Sequence, residues 1–265
     1  MAELTEDQQK HIQGMLSSID DRIDNQLNQL EHGEVVEHRV PTLYRNIAMK
    51  YQKLGVCHAY DGDILAAQEQ FSEAAQTYQQ AASAAEELPP YATFYRRIPM
   101  TLTEALYAAA LAGEVDTVTK VATAVDTLDP EEGAGEVAEE IVFKRDKYYL
   151  AHSLASAVLD DANQATLEEL EAINDEKPAT EQEYGGGILA IARGIDTDDG
   201  ILIESGLRSL LEYHDRQRHP DNVIDLVIAP EATALLIITR QQGYDVTIDS
   251  EFIPEELVDA SVSGD

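Results

Sequence analysis

Apolar residues recur at three- and four-residue steps from the start of the chain, which is the spacing that places side chains on one face of a helix. We predict a first helix over residues 5–32. Its apolar stripe consists of Ile12, Leu16, Ile19, Ile23, Leu27 and Leu30. Thr5 and Gln8 have the spacing of a capping box, in which each side chain bonds to the backbone of the other residue. Gly33 favours termination of this helix, because glycine readily adopts the left-handed conformation.

The same periodicity continues along the chain, interrupted by glycine, proline and aspartate. It predicts helical hairpins over residues 41–128 and further helices over residues 137–258, with at most a short extended segment near the C-terminus. The separate helices are expected at about 41–60, 64–87, 101–112, 115–128, 137–159, 164–174, 181–195, 200–218 and 230–243. The apolar run 223–228 is compatible with an extended segment, and residues 259–265 are predicted to form a disordered tail.

The second and third helices carry a more specific pattern. The residues concerned are Tyr51, Leu54, Gly55, His58, Gly62, Ala67, Phe71 and Ala74. Their spacing matches one tetratricopeptide unit, but the match does not recur at the period of about 34 residues that a regular array needs. We therefore predict an all-α fold with a single domain over residues 1–258, built as stacked antiparallel helical hairpins in a tetratricopeptide-like α-α superhelix. The concave face of such a stack suits a protein or peptide ligand.

The charge of the chain is strongly acidic. Asp and Glu number 51 against 18 Lys and Arg, which gives a formal net charge of -33, and the acids are spread over the whole length. Such a coat repels itself in dilute buffer and is typical of halophilic proteins. Mimicry of a nucleic-acid backbone, or attraction of a basic partner, is the functional alternative. Nucleic-acid binding is not expected, because phosphate contacts need clustered Lys and Arg.

The single cysteine, Cys57, cannot form an internal disulfide, which fits a reducing cytosol. On a helix we expect it to be a small buried hydrophobic residue. The N-terminal residues have neither the basic start nor the apolar stretch of a signal peptide. No window approaches the roughly 18 apolar residues that a membrane-spanning helix needs. We therefore predict a cytoplasmic protein without membrane association.

A cluster of polar and cationic side chains ends the helix predicted over residues 200–218. As partner-binding residues we predict Tyr213, His214, Arg216, Arg218, His219 and Tyr244. A cation-rich last turn also interacts favourably with the helix dipole. A third interpretation is an enzyme with a metal held by Glu212, His214 and His219. The five-residue step between the histidines does not match the i, i+3 or i, i+4 pairing of helical zinc sites, so no metal and no cofactor is predicted.

Two further features have a structural and a functional interpretation. The run Gly185–Gly187 could cradle a phosphate, but no Lys-Ser or Lys-Thr follows it, so a tight crossing of helices is the better interpretation. The chain has 12 Tyr against 4 Phe and no Trp, including Tyr91, Tyr95 and the pair Tyr148 and Tyr149. Tyrosine offers an apolar ring and a polar hydroxyl, useful in a recognition groove, and equally suits helix packing.

The C-terminal third, from Leu189 to Leu257, has a recognisable order of residues. Its features are Ala190, Ala192, Arg193, Leu207, Leu211 and His214, a helix over 232–239, Gly243 with Tyr244, Val246, Ser250, and the run Phe252, Ile253 and Pro254. In order and spacing this segment resembles the immunity protein 49 family. Proteins of that family are all-helical and are encoded beside polymorphic toxins.

The resemblance implies a protein that binds and neutralises a cognate toxin protein, with no enzyme activity and no cofactor. The alternative hypothesis is a tetratricopeptide-like scaffold that binds a peptide or protein partner in a halophile. The third hypothesis is the metal-dependent enzyme at the histidine cluster.

Overall fold

The computed structural model describes residues 4–90, 92–129, 143–160, 163–219 and 221–263. The described residues form α-helices and two short 3-10 helices, with no strand among them, so the predicted all-α class is confirmed. The helices are α1 (Glu6–Leu16), α2 (Ile19–Glu31), α3 (Val40–Asp61), α4 (Ile64–Glu86), α5 (Ile98–Leu111), α6 (Val115–Asp126), α7 (Arg145–Leu159), α8 (Gln164–Asp175), α9 (Ala179–Asp196), α10 (Gly200–Gln217), α11 (Val223–Val227), α12 (Pro230–Gln241) and α13 (Glu255–Ser263).

The predicted single helix over 5–32 is wrong, because the chain breaks after Leu16. The hydroxyls of Ser17 and Ser18 both donate to the Gly14 carbonyl oxygen, at 3.0 and 2.8 Å. Serine hydroxyls that bond to the backbone compete with helical hydrogen bonding, and this is the physical reason for the break. The predicted capping box of Thr5 with Gln8 is present at the start of α1.

Helices α3 and α4 form the antiparallel hairpin that the tetratricopeptide-like pattern predicted. Gly62 turns the chain at φ +80°, and the Asp63 carboxylate then accepts from the backbone N–H of Ala66 at 3.2 Å. A Cβ atom on Gly55 would lie 2.8 Å from the Phe71 ring. The small residue is therefore needed where the two helices approach each other.

The glycines at 185–187 lie inside α9, where Gly187 allows α9 and α10 to cross closely and Gly185 leaves room for Asn174 of α8. A Cβ atom on Gly206 would lie 2.6 Å from the Gly187 carbonyl oxygen, and one on Gly187 would lie 2.9 Å from the Gly206 carbonyl oxygen. The two backbones are thus in direct contact. This arrangement agrees with the tight helix crossing expected from the sequence.

The C-terminal helices fold back over the stack of hairpins. Helix α5 is buried at nearly every position, and residues 232–239 of α12 are all buried. Helix α12 packs against α5 and α10, while α13 packs against α4, α5 and α12. One hydrophobic cluster consequently extends from Leu4 to Val258.

The predicted disordered tail over 259–265 is wrong as far as Ser263, where α13 ends. Val258 and Ser261 are buried, with 0% and 1% of their surface exposed. The Ser261 hydroxyl donates to the Leu111 carbonyl oxygen at 3.0 Å and accepts from Gln68 at 3.2 Å. A polar residue is therefore ordered here because its hydrogen bonds are made within the protein. Residues 264 and 265 lie outside the described part of the chain.

Other boundaries also differ from the prediction. The apolar run 223–228, which was compatible with an extended segment, forms the short helix α11. The helix expected over residues 137–159 begins at Arg145 in the structure, and residues 137–142 lie outside the described part of the chain. Val246 and Ile248 are both buried in a stretch without regular secondary structure. Within the described ranges, no helix combines the length and the apolar character that crossing a bilayer requires.

The contact between α9 and α10 generates the first prediction. We expect Gly206→Ala to lower the free energy of unfolding by about 1–3 kcal/mol, because the new methyl group overlaps the backbone of Gly187. The matched control is Gly14→Ala in α1, where no atom lies within 4 Å of the added carbon. That variant should be stabilised by about 0.5–1 kcal/mol, because alanine is the better helix former. Urea denaturation of both variants checks this, and equal shifts in the two would contradict it.

Candidate functional site

A cleft opens between the α3–α4 hairpin, helices α5 and α7, and the C-terminal helices α9, α10 and α12. Its larger hollow has a volume of about 340 Å³ and reaches from Arg45 to Glu231. A smaller hollow of about 220 Å³ adjoins it on the side of α10 and α11. The two hollows share Tyr184, Tyr213, Pro230 and Glu231. We call the two together the tyrosine cleft.

Four tyrosines from four different helices line this cleft. The Tyr78 hydroxyl donates to Gln52 Oε1 at 3.1 Å, and the hydroxyl oxygens of Tyr107 and Tyr184 are 3.4 Å apart. The rings of Tyr184 and Tyr213 are tilted against each other with centroids 5.3 Å apart. Burial raises the pKa of Tyr78, Tyr107 and Tyr184. These phenols therefore stay neutral and can both donate and accept hydrogen bonds.

Glu231 provides the acidic group at the junction of the two hollows. Helix α12 begins at Pro230, so the half-buried Glu231 side chain lies in its first turn. Burial is the main cause that raises the pKa of Glu231, and the nearby charges of Glu104 and Asp225 raise it further. A bond to its own backbone N–H and the proximity of His214 act in the opposite direction. The carboxyl group thus binds a proton more readily than an exposed glutamate does.

Two basic side chains of the cleft wall, Arg45 and Lys147, are each paired with an acidic residue. Arg45 binds Glu104 through two hydrogen bonds of 2.6 and 3.0 Å, and the bond to Glu104 raises the pKa of the Arg45 guanidinium. Lys147 Nζ lies 3.4 Å from an Asp146 carboxylate oxygen. Among the described residues, Glu231 makes no ion pair with a lysine or arginine. The same holds for Asp225, which lines the smaller hollow, but Glu231 lies where the two hollows meet and is therefore the carboxyl group that a ligand in either hollow can reach.

Part of the predicted partner-binding cluster lies at the edge of this cleft. Tyr213 lines both hollows, and His214 and Arg218 line the smaller one. His214 Nε2 donates to the Asp225 carbonyl oxygen at 2.8 Å, which joins α10 to α11. The Arg218 guanidinium lies 5.2 Å from the centroid of the Phe252 ring. His214 and Arg218 thus also hold the fold together.

The remaining members of the cluster point away from the cleft or are paired elsewhere. Arg216 on α10 forms a two-pronged ion pair with Glu183 on α9. The side chain of His219 is 70% exposed, and its Nδ1 accepts from the backbone N–H of Asp221 at 3.2 Å. A general attraction of cations to the C-terminal end of the helix dipole does not explain why Arg216 binds Glu183 or why His219 binds the backbone of Asp221.

Tyr244 lies at the other end of the α9–α10 hairpin. Its hydroxyl donates to the Ile195 carbonyl oxygen at 3.1 Å, whereas Arg216 is bound to Glu183. These two positions on α9 are separated by about 18 Å at the rise of an α-helix. The six predicted partner-binding residues therefore do not form one contiguous surface.

The residues of the metal-enzyme hypothesis do not come together around one point. Glu212 and His219 are exposed on the surface, whereas His214 is bonded to the backbone of α11. Within the part of the chain that the structure describes, no group of three or more His, Cys, Asp or Glu is placed to hold a metal ion.

The other residues singled out in the sequence have packing roles. Tyr95 and Tyr148 stack on the two sides of Phe143, with centroids 5.7 and 5.9 Å away. Cys57 is fully buried, and burial raises the pKa of its thiol to about 12, as expected for a buried hydrophobic residue. His58 is half-buried. Tyr91 lies outside the described residues.

Sequence reasoning missed most of the cleft. The prediction named Tyr213 but not Tyr107, Tyr184 or Glu231, and it gave Arg45 no role. The one feature of the sequence that pointed to an aromatic binding site was the excess of tyrosine over phenylalanine and tryptophan. Only the three-dimensional structure places these tyrosines in one cleft, because they come from segments far apart in the chain.

The fold and the cleft define an all-α protein with an aromatic, partly acidic binding cleft. No family model, no curated protein and no solved structure matches the chain. The resemblance of the C-terminal third to the immunity protein 49 family accordingly stays a prediction.

The raised pKa of Glu231 generates the second prediction. A carboxyl whose pKa is higher in the folded than in the unfolded protein stabilises the fold at low pH and loses that contribution as the pH rises through the folded-state value. Glutamine keeps the shape of the neutral carboxyl at every pH. We therefore expect Glu231→Gln to be more stable than the wild type at neutral pH, with the difference vanishing below the usual value of 4.5.

Thermal unfolding of both proteins over a pH series measures this difference. The other carboxylates are common to both proteins, so their contributions cancel. Glu212→Gln, which removes an exposed carboxylate from α10, is the matched control and should show no such pH dependence. A stability difference for Glu231→Gln that is constant with pH contradicts the interpretation.

Proposed function

We propose that this protein is an immunity protein that binds and neutralises a cognate toxin through the tyrosine cleft, without chemistry of its own. The observation that carries the proposal is the pair Tyr184 and Tyr213 beside the unpaired Glu231, in an open cleft. Tyrosines, which combine an apolar ring with a hydroxyl that can donate and accept hydrogen bonds, are common anchors in protein recognition.

The chemistry of the cleft favours a basic side chain of the partner. A cation placed over an aromatic ring is attracted by the ring's electrons, and an arginine or lysine can also bind a carboxylate through a charge-assisted hydrogen bond. Tyr184, Tyr213 and Glu231 offer these two contacts side by side. The net charge of -33 further favours a partner with a basic surface.

The resemblance supports a toxin as the partner. The segment Leu189–Leu257 that carries it includes α10 and α12, which supply Tyr213 and Glu231 to the cleft. The part of the chain that resembles immunity proteins therefore forms one wall of the proposed binding site. The toxin's active surface would be covered by the helices around that wall.

The alternative is a scaffold that binds a peptide of another kind. The tetratricopeptide-like hairpin α3–α4 supports it, because this hairpin supplies the opposite wall with Arg45 and Tyr78. The two hypotheses differ in the number of partners. An immunity protein protects against one toxin, whereas a scaffold binds peptides that share a short motif.

The third prediction tests the proposal by co-expression with the toxin encoded by the neighbouring gene. The wild type is expected to protect the cells and to bind the purified toxin. Tyr213→Ala and Glu231→Gln should each weaken binding by about 2 kcal/mol or more, the usual loss at an interface anchor. Isothermal titration calorimetry measures this loss. Glu231→Gln is the more informative of the two, because the variant is expected to stay folded.

Tyr244→Ala is the matched control, since Tyr244 is a predicted partner-binding tyrosine outside the cleft. It should bind the toxin as the wild type does. A neighbouring gene product that is harmless alone, or that still kills in the presence of the wild type, rules out the immunity function. Normal binding by both cleft variants rules out the cleft as the docking site.

A further inference from the structure

A second cleft, with a volume of about 540 Å³, lies between α1, α2 and α3. It is lined by four basic side chains, His11, Arg22, Lys50 and Lys53, and none of the described residues that line it is acidic. In a chain with 51 acidic and 18 basic residues, such a concentration of positive charge is a local exception. We call this region the basic cleft.

The basic cleft differs from the rest of the described surface in how its cations are paired. Over the described ranges, Arg22, Lys50 and Lys53 form no ion pair. Elsewhere the arginines Arg45 and Arg193 are each bound to a glutamate through two hydrogen bonds. The basic cleft therefore keeps three positive charges unneutralised, although carboxylates are abundant on the surface.

Lys50 is held in place in this cleft. Its Nζ donates to Gln26 Oε1 at 2.6 Å and to the Asn46 carbonyl oxygen at 3.3 Å, both of which are neutral acceptors. Burial lowers the pKa of Lys50, and the like charges of Lys53 and Arg22 lower it further. A negatively charged ligand would relieve this mutual repulsion.

The floor of the basic cleft is apolar and open. Its apolar lining residues are buried or half-buried, whereas Arg22 and Lys53 are exposed; the apolar residues are Met15, Ile19 and Met49. Gly14 leaves space on the side of α1, because no atom lies within 4 Å of the position of a Cβ atom there. A ligand with an anionic head and an apolar body would fit both the basic rim and this floor. Sites of a few hundred cubic ångströms are typical for small molecules.

We propose that the basic cleft binds a small organic phosphate, with the phosphate between Arg22, Lys50 and Lys53 and the apolar body over Met15, Ile19 and Met49. A phosphate monoester carries about two negative charges at neutral pH, more than one carboxylate, and so matches a group of three cations. The arginine fork binds two phosphate oxygens while the lysines supply point charges. The site does not include Tyr184, Tyr213 or Glu231 and is independent of the proposed function.

Titration of the full chain with phenyl phosphate at fixed ionic strength tests this proposal, followed by NMR and by calorimetry. Saturable binding is expected, tighter than that of benzoate, which has the same ring and one negative charge. It should also be tighter than that of inorganic phosphate, which lacks an apolar body. In the double variant Lys50→Gln with Lys53→Gln, binding should weaken by about tenfold or more. Arg22→Gln should weaken it independently.

The control removes the same charge at a distance, through Lys120→Gln with Lys144→Gln, two exposed lysines that lie in α6 and directly before α7. It should bind phenyl phosphate as the wild type does, because neither lysine lines the basic cleft. The control variant changes only the long-range attraction between protein and ligand, which salt screens. The proposal is overturned if phenyl phosphate does not saturate, if benzoate binds equally well, or if the Lys50 and Lys53 double variant and the control lose the same affinity.

Discussion

The burial of α5 is the constraint on which the rest of the structure depends. A helix that is apolar on nearly all sides, as α5 is apart from Glu104, is stable only when those sides are covered. Helices α4, α6 and α7 cover α5 from its neighbours in sequence, and α12 and α13 cover it from the far end of the chain. Since residues 232–239 of α12 are also buried, the two helices depend on each other. The C-terminal part is thus an integral part of the core that closes the stack of hairpins.

The tyrosine cleft follows from this closure. When α12 packs on α5 and α10, its first turn at Pro230 brings Glu231 to the rings contributed by α9 and α10. Aromatic rings fill the gap, and their hydroxyls must find partners because an unsatisfied buried polar group costs about 1–3 kcal/mol. Tyr107 and Tyr184 satisfy each other, while Tyr78 uses Gln52. Glu231 is left with its own backbone as an internal partner, so this carboxyl determines what the cleft can bind.

Most local patterns in the sequence predicted local structure well, although the break after Leu16, which depends on Ser17 and Ser18, was missed, and long-range contacts explain the failure at the cleft. The capping box at Thr5 and the break between the second and third helices depend on residues near in sequence, and both are present, the break at Gly62. The cleft could not be predicted, because Tyr107 meets Tyr184 across 77 residues and Arg45 meets Glu104 across 59. The cationic cluster was over-interpreted for the same reason. A pattern of arginines does not reveal that Arg216 is bound to Glu183, or that His214 holds α11.

The two clefts show why net charge alone says little about ligands. If the protein works in concentrated salt, as its acidity predicts, screening limits electrostatic attraction to about 3 Å, so only groups in direct contact matter. Glu231 is an unpaired acid among tyrosines, and Arg22, Lys50 and Lys53 are unpaired bases over an apolar floor. Both arrangements destabilise the protein without a ligand. Glu231 is half-buried, and Lys50 lies close to the like charges of Lys53 and Arg22. A ligand that supplies the opposite charge removes that cost only in the folded state, so binding and stability are linked at both places. Helix α3 lines both clefts and contributes Met49 to each, so the acidic group from α12 and the basic groups of α2 and α3 lie at two clefts that share one helix.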